Sequence, residues 1–173
     1  RGVTGMLVEA GHQFEVLDSS MDISDFRLVI LPDRLNMTDE LAEKINRYVA
    51  QGGSLLASFE AGMDAAKKGF VLKCLPVEFA GDGPIHADGQ PTRGRIIGDN
   101  CYTDYIVPRG AIGNGLPQTE HAMYYNGVEV QAAAGAQVLA DVVQPLFWRT
   151  SEHFTSHRQT PSSGKAAYPA VVH

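Results

Sequence analysis

The residues that most suggest chemistry lie in the stretch SLLASFEAGMD, residues 54–64. A run of small and apolar residues ends in Glu60, Ala61 and Gly62, the pattern of a buried strand that enters a tight turn and then a helix. In many α/β enzymes such a corner exposes a nucleophilic serine or cysteine, and the backbone N–H groups that follow stabilise an oxyanion. The corner is therefore the first candidate for an active site.

The residue types at this corner do not suit a nucleophile. Glu60 occupies the candidate position, or Ser58 if the register shifts, and Gly62 completes the turn. A glutamate is a poor nucleophile for acyl transfer, and its charge would occupy the place of the oxyanion. Ser58 is expected to point into the sheet. We predict a degenerate elbow with no catalytic residue, where a carboxylate could still bind a cation or a sugar hydroxyl.

A second group of polar residues lies near the C-terminal end of the sequence. His153 and His157 have the i, i+4 spacing that would let a helix present both to a metal, but no third ligand is nearby in the sequence. With Arg149 and Arg158, these histidines are predicted to line a binding surface or an interface. The loop that holds Asp82, His86 and Asp88 lacks the spacing of an EF-hand. We predict no metal site and no cofactor.

The two cysteines, Cys74 and Cys101, form neither a CxxC motif nor a disulfide framework. An enzyme that uses one of them with a histidine is a rival hypothesis. Neither cysteine follows a buried strand that leads into a helix, which weakens this hypothesis.

The elements that would position these residues follow an alternating order. Residues 2–11 have helical apolar spacing, residues 13–18 alternate like a strand, and residues 27–33 form a continuous apolar run. Thr38 begins a helix that ends at Gly52 and Gly53, and residues 54–59 form the next strand. This order predicts an α/β fold with a flavodoxin-like, doubly wound, mainly parallel sheet, followed by an irregular second half of short strands rich in Gly and Pro.

The fold so predicted lacks its opening strand. We therefore expect residues 1–173 to form a single domain that is a fragment of a longer multidomain chain. The formal net charge of −6 argues against binding to nucleic acid or to an anionic membrane. No apolar run is long enough to span a membrane and no signal peptide is present, so we predict a cytoplasmic location.

Several stretches together resemble one family, the class I glutamine amidotransferase-like domain of glycoside hydrolases. This family includes the β-galactosidase trimerisation domain and its relatives in fucosidase-like and amylase-like hydrolases. The stretches are LVEAGHQFEVLD, RLVILPD, LAEKINRYVAQGGSLLAS, FWRTSEHFTSHRQTP and YPAVV.

This resemblance implies a non-catalytic domain that helps to build a homo-oligomer and contributes to the rim of a neighbouring active site. The catalytic carboxylates would lie in a barrel domain of the same parent chain. The alternative is a module that binds a carbohydrate or another small ligand. Its candidate residues are Glu60, Tyr124, Tyr125, Arg149, His153, His157 and Arg158.

Overall fold

The computed structural model describes residues 2–35, 37–81, 103–124, 127–147, 151–156 and 160–173. The chain divides into two compact units, Arg1–Cys74 and Leu75–His173. Each unit is described here by itself. Neither α-helix among the described residues is long and apolar enough to cross a membrane.

The described residues of the first unit form two helices and two strands. Helix α1 spans Gly2–Glu9, strand β1 spans Leu28–Leu31, helix α2 spans Asp39–Ala50 and strand β2 spans Ser54–Ala57. β1 and β2 pair in parallel, with Leu28 opposite Ser54 and Leu31 opposite Ala57. A parallel pair needs a long crossover connection, and α2 provides it.

Helix α2 forms where the local signals predict it. The Thr38 hydroxyl accepts a hydrogen bond from the Leu41 N–H group at 3.3 Å, which caps the first turn. Asp39 and Glu40 add negative charge to the same turn, where the helix dipole favours it. The buried face of the helix carries Ala42, Ile45 and Tyr48.

Tyr48 connects the end of α2 to the beginning of both strands. Its hydroxyl donates to the Phe26 carbonyl at 2.8 Å and lies 3.3 Å from the Ser54 carbonyl. Burial raises the pKa of this phenol, because the buried site disfavours the phenolate. Tyr48 therefore stays a hydrogen-bond donor and fixes the entry of β2.

The second unit is built from antiparallel strands. Among its described residues the strands are β3 (Val77–Gly81), β4 (Thr103–Pro108), β5 (His121–Tyr124), β6 (Glu129–Ala132), β7 (Val138–Pro145) and β8 (Ser162–Val172), with a 3₁₀ helix at Gly110–Gly113. β3 and β6 form a two-stranded sheet, and a second sheet has the order β5-β4-β7-β8.

The centre of the larger sheet is buried along β7. Ala140, Val142 and Val143 are buried there, and Val142 lies opposite Ile106 of β4 and Tyr168 of β8. The Tyr105 hydroxyl donates to the Thr160 carbonyl at 2.6 Å, and Thr160 is fully buried. These contacts join three strands of one sheet into a common core.

The predicted fold class is wrong. Only β1 and β2 pair in parallel among the described strands, whereas β3–β6, β4–β5, β4–β7 and β7–β8 are all antiparallel. β7 and β8 are 8 and 11 residues long, so the second half is not merely a set of short irregular strands. Residues 109–120, which join β4 to β5, contain a single 3₁₀ turn, and a short connection of this kind joins strands that run in opposite directions.

The predicted strand at residues 13–18 is also wrong. Residues 12–18 form no strand, although the chain there is not helical either. Alternating Phe14 and Val16 satisfy the sequence pattern of a strand, but a strand needs a hydrogen-bonded neighbour. None of the described strands pairs with this segment.

Candidate functional site

The predicted corner lies at the carboxyl ends of the two parallel strands. Ser58 follows β2, and its hydroxyl donates to the Asp33 carboxylate at 2.6 Å. Asp33 lies two residues after the end of β1, and its backbone carbonyl accepts a hydrogen bond from the Glu60 N–H group at 3.1 Å. The carboxyl ends of parallel strands are where open α/β sheets bind ligands, so the position suits a site.

The charged groups of the corner partner one another. The Lys67 ammonium lies 3.7 Å from the Glu60 carboxylate, and the two side chains are 29% and 16% exposed. Ser58 is likewise bonded to Asp33. Both of the predicted polar residues, Ser58 and Glu60, therefore have partners within the first unit.

The strained residue of the turn is Phe59. Its φ is 52°, the left-handed region that a bulky residue seldom adopts and that a nucleophile elbow imposes on its nucleophile. Gly62 follows with a φ of 95°, and the Ala61 N–H group donates to the Ser58 carbonyl at 3.0 Å to close the turn. A phenyl ring has no nucleophilic atom, so this position cannot perform acyl transfer.

The helix expected after the turn is absent. Residues 59–62 form turns, and Met63 then makes an isolated antiparallel bridge with Phe70. The Gly62 carbonyl accepts from the Val71 N–H group at 2.8 Å, which fixes this loop. Without a helix N-terminus behind the turn, the corner lacks the aligned amides that would hold an oxyanion.

Sequence reasoning identified this corner but not its strained residue. The sequence pattern predicts the exposed position at Glu60, or at Ser58 if the register shifts. In the structure the left-handed conformation lies between them, at Phe59. Glycine or asparagine would have signalled such a conformation, but phenylalanine carries no such signal. Asp33 and Lys67 were also missed, because neither is adjacent in sequence to the corner.

The C-terminal candidates are described only in part. His153 lies in the second unit, where its ring centroid is 5.6 Å from that of Phe147. Residues 151–156 contain no helix, so the described part of this segment does not provide the helical face on which a histidine pair would depend. The other candidates of this group, Arg149, His157 and Arg158, lie outside the described residues, as does Tyr125.

The structure describes no metal site within its ranges. No group of three His, Cys, Asp or Glu residues there is arranged to hold an ion. The loop that carries Asp82, His86 and Asp88 is outside those ranges. Tyr124 lies at the end of β5.

Cys74 has the properties of a structural thiol. Burial raises its pKa, so the protonated form predominates near neutral pH, and the thiolate is the nucleophilic form. Its N–H group donates to the Asn46 side-chain oxygen at 3.1 Å, which links the end of the first unit to α2. Cys101, the other residue of the rival hypothesis, lies outside the described residues.

Comparison with known proteins gives two findings. The family model described as the beta-galactosidase trimerisation domain matches residues 5–81. Among solved structures, alpha-L-fucosidase isoenzyme 2 from Paenibacillus thiaminolyticus is similar to the chain, with 26% sequence identity and a TM-score of 0.81. The similarity covers 99% of this chain but only 23% of the fucosidase chain. No curated protein matches the chain.

These findings separate two parts of the predicted resemblance. The glutamine amidotransferase-like description is not supported, because the described strands are mostly antiparallel. The glycoside hydrolase context is supported by both the family and the similar structure. The predicted resemblance to the β-galactosidase trimerisation domain is thus confirmed over residues 5–81. This range contains all of the first unit except its first four residues.

Proposed function

We propose that this chain is a non-catalytic domain of a larger glycoside hydrolase polypeptide and that it contributes to oligomer assembly. The observation that carries the proposal is the match of residues 5–81 to a trimerisation domain. The chain spans 23% of the length of the similar fucosidase, which leaves room in a polypeptide of that size for a separate catalytic domain.

The corner supports a non-catalytic role. Phe59 holds the strained position, and the polar side chains next to it bond to Asp33 and Lys67. Hydrolysis of a glycoside requires two carboxyl groups set on either side of the scissile bond. We propose that these carboxyl groups lie in a barrel domain of the parent polypeptide, and that the assembled domain borders the active site of a neighbouring subunit.

Helix α1 supports an assembly role. It buries none of its residues, although its sequence GVTGMLVE is largely apolar. Met6 and Val8 are 63% and 64% exposed. Apolar helices normally bury part of their surface, and large apolar side chains left exposed can mark an interaction site. We propose that Met6 and Val8 contact another subunit.

Light scattering over a range of concentrations tests this proposal. We expect a discrete mass at two or three times the 18.7 kDa of the chain. Replacing Met6 and Val8 together by glutamate should dissociate this oligomer to the monomer, because charged side chains would have to be buried at the interface. Leu116→Glu, at an exposed apolar residue of the second unit, is the matched control and should leave the mass unchanged. A monomer at every concentration, for both the chain and its parent polypeptide, would contradict the proposal.

A carbohydrate-binding role is the second candidate, and the position of Glu60 and Ser58 beyond the parallel strands favours it. Titration with L-fucose and D-galactose at millimolar concentration, followed by the amide NMR signals of these two residues, distinguishes the candidates. The assembly proposal expects no shift. Shifts that disappear in Glu60→Gln but persist in Glu43→Gln, a matched change on the exposed part of α2, would favour the carbohydrate.

A further inference from the structure

The loop that joins β4 to β5 carries an asparagine followed by a glycine. Asn114 comes directly after the 3₁₀ helix Gly110–Gly113, and both Asn114 and Gly115 are exposed. Glycine has no side chain to shield its own backbone nitrogen from the side chain of the residue before it. An exposed Asn-Gly pair is therefore open to an intramolecular reaction between the two residues.

The reaction closes a five-membered ring. The Gly115 backbone nitrogen loses its proton and attacks Cγ of the Asn114 side-chain amide, and the side-chain nitrogen leaves as ammonia. Water then opens the resulting succinimide at either of its two carbonyl groups. One opening gives aspartate, and the other gives isoaspartate, in which the main chain continues through the side-chain carbonyl. The reaction consumes one water and releases one ammonia, and it needs no oxidant or reductant.

The attacking nitrogen is accessible in the folded chain. A Cβ atom at Gly115 would meet nothing within 4 Å, so the space around this residue is open. Its φ of 79° lies in the left-handed region, which glycine adopts without a steric penalty. Within the described part of the chain no hydrogen bond engages the Gly115 N–H group. Base in the solvent can therefore remove its proton.

The amide that is attacked is also accessible. The Asn114 side chain makes no hydrogen bond to another described residue. Asn46 is different, because its side-chain oxygen accepts a hydrogen bond from the Cys74 N–H group at 3.1 Å. Asn46 also lies inside α2, where the N–H group of the next residue, Arg47, belongs to the helical hydrogen-bond ladder. Asn46 is therefore an internal control for the same chemistry.

A backbone rotation brings the two reacting atoms together. The ψ of Asn114 is 128°, an extended value that keeps the Gly115 nitrogen away from the side-chain carbon. Rotation about the Cα–C bond of Asn114 closes this gap and opens the turn. The hydrogen bond that spans the pair runs from the Leu116 N–H group to the Gly113 carbonyl at 3.1 Å. Exposed turns with few backbone hydrogen bonds open at a small cost in free energy.

We propose that Asn114 is a site of spontaneous deamidation, which converts it through a succinimide with Gly115 into aspartate and isoaspartate. Either product adds one negative charge to the formal net charge of −6. Isoaspartate also lengthens the main chain by one atom, which displaces Leu116 from its hydrogen bond to Gly113. The chain thus acquires, on storage, more acidic forms that differ in the loop between β4 and β5.

Peptide mapping by mass spectrometry tests this proposal on the 173-residue chain, incubated in mildly alkaline buffer made with heavy-oxygen water. Cleavage after Glu120 separates Asn114 from a second Asn-Gly pair at residues 126–127, whose asparagine lies outside the described residues. We expect Asn114 to deamidate at least about tenfold faster than Asn46, because the loop opens more readily than the helix. Position 114 should contain heavy oxygen and a mixture of aspartate and isoaspartate, which electron-transfer fragmentation distinguishes.

A variant and a peptide make the test decisive. Asn114→Gln keeps the side-chain amide but would require a six-membered ring, so it should deamidate at least about tenfold more slowly, while its circular dichroism spectrum matches that of the original chain. An Asn114 that stays intact while a synthetic peptide of residues 109–120 deamidates would overturn the proposal, because the fold would then block the reaction. Aspartate without isoaspartate would also overturn it, because a succinimide opens to both.

Discussion

Gly53→Ala is expected to destabilise the first unit by about 3 kcal/mol, because the new methyl group would overlap the ring of Tyr48. A Cβ atom at this position would lie 2.2 Å from Cζ and 2.4 Å from both Cε atoms of that ring. Ordinary contacts between carbon atoms are about 3.5–4.0 Å. The ring cannot move aside without losing the hydrogen bonds of its hydroxyl to the carbonyls of Phe26 and Ser54. Urea denaturation followed by far-UV circular dichroism measures the loss.

Two comparisons make the test of Gly53 specific. Gly69→Ala is the matched control, since a Cβ atom there meets nothing within 4 Å, and its cost should stay within about 0.5 kcal/mol. In a Tyr48→Ala background the Gly53 substitution should cost far less, because the ring is gone. If Gly53→Ala proved as mild as Gly69→Ala, the close approach of α2 and β2 would be refuted.

Val142→Asp is expected to abolish the cooperative unfolding of the second unit. Val142 is 1% exposed and lies on β7 between β4 and β8, opposite Ile106 and Tyr168. An unpaired charge at such a position costs about 3–5 kcal/mol, out of a total stability of about 5–15 kcal/mol for a typical domain. Thermal unfolding followed by circular dichroism should show loss of the transition or a much lower midpoint.

The control for Val142→Asp carries the same charge on the same sheet. Ala167 lies on β8 and is exposed, so Ala167→Asp should cost less than about 1 kcal/mol. Equal destabilisation by the two substitutions would mean that β7 is not the buried centre of the sheet. Loss of the transition for Val142→Asp alone would support the strand order β5-β4-β7-β8.

The local elements of the first unit could be predicted from the sequence. α1 and α2 were predicted as helices, β1 and β2 as strands, and Thr38 as the cap of α2, and the structure confirms each of them. The predicted burial of both strands is wrong, because Leu28 is 49% and Leu56 is 53% exposed. These signals act within a few residues of one another, since a cap, an apolar stripe and a terminal glycine all shape the same stretch of backbone. The family resemblance also followed from the sequence alone, as did the lack of a cysteine at the corner.

The strand pairings depended on the tertiary structure. The order of elements up to β2 favoured a parallel sheet, but the strands after Leu75 pair antiparallel with partners up to 55 residues away, as Val77 does with Ala132. Partner and direction are set by which apolar faces meet, and an alternating pattern does not encode them. For the same reason residues 13–18 had the pattern of a strand but found no partner among the described strands.

The candidate site shows the same division between sequence and fold. From the sequence alone, the residue types at the corner already disfavoured acyl transfer, because they include no cysteine and place a carboxylate where an oxyanion would sit. Only the tertiary structure shows that Asp33 contacts Ser58, because this contact depends on two strand ends meeting. Only the tertiary structure shows the strain at Phe59, because it depends on a loop closed by long-range hydrogen bonds.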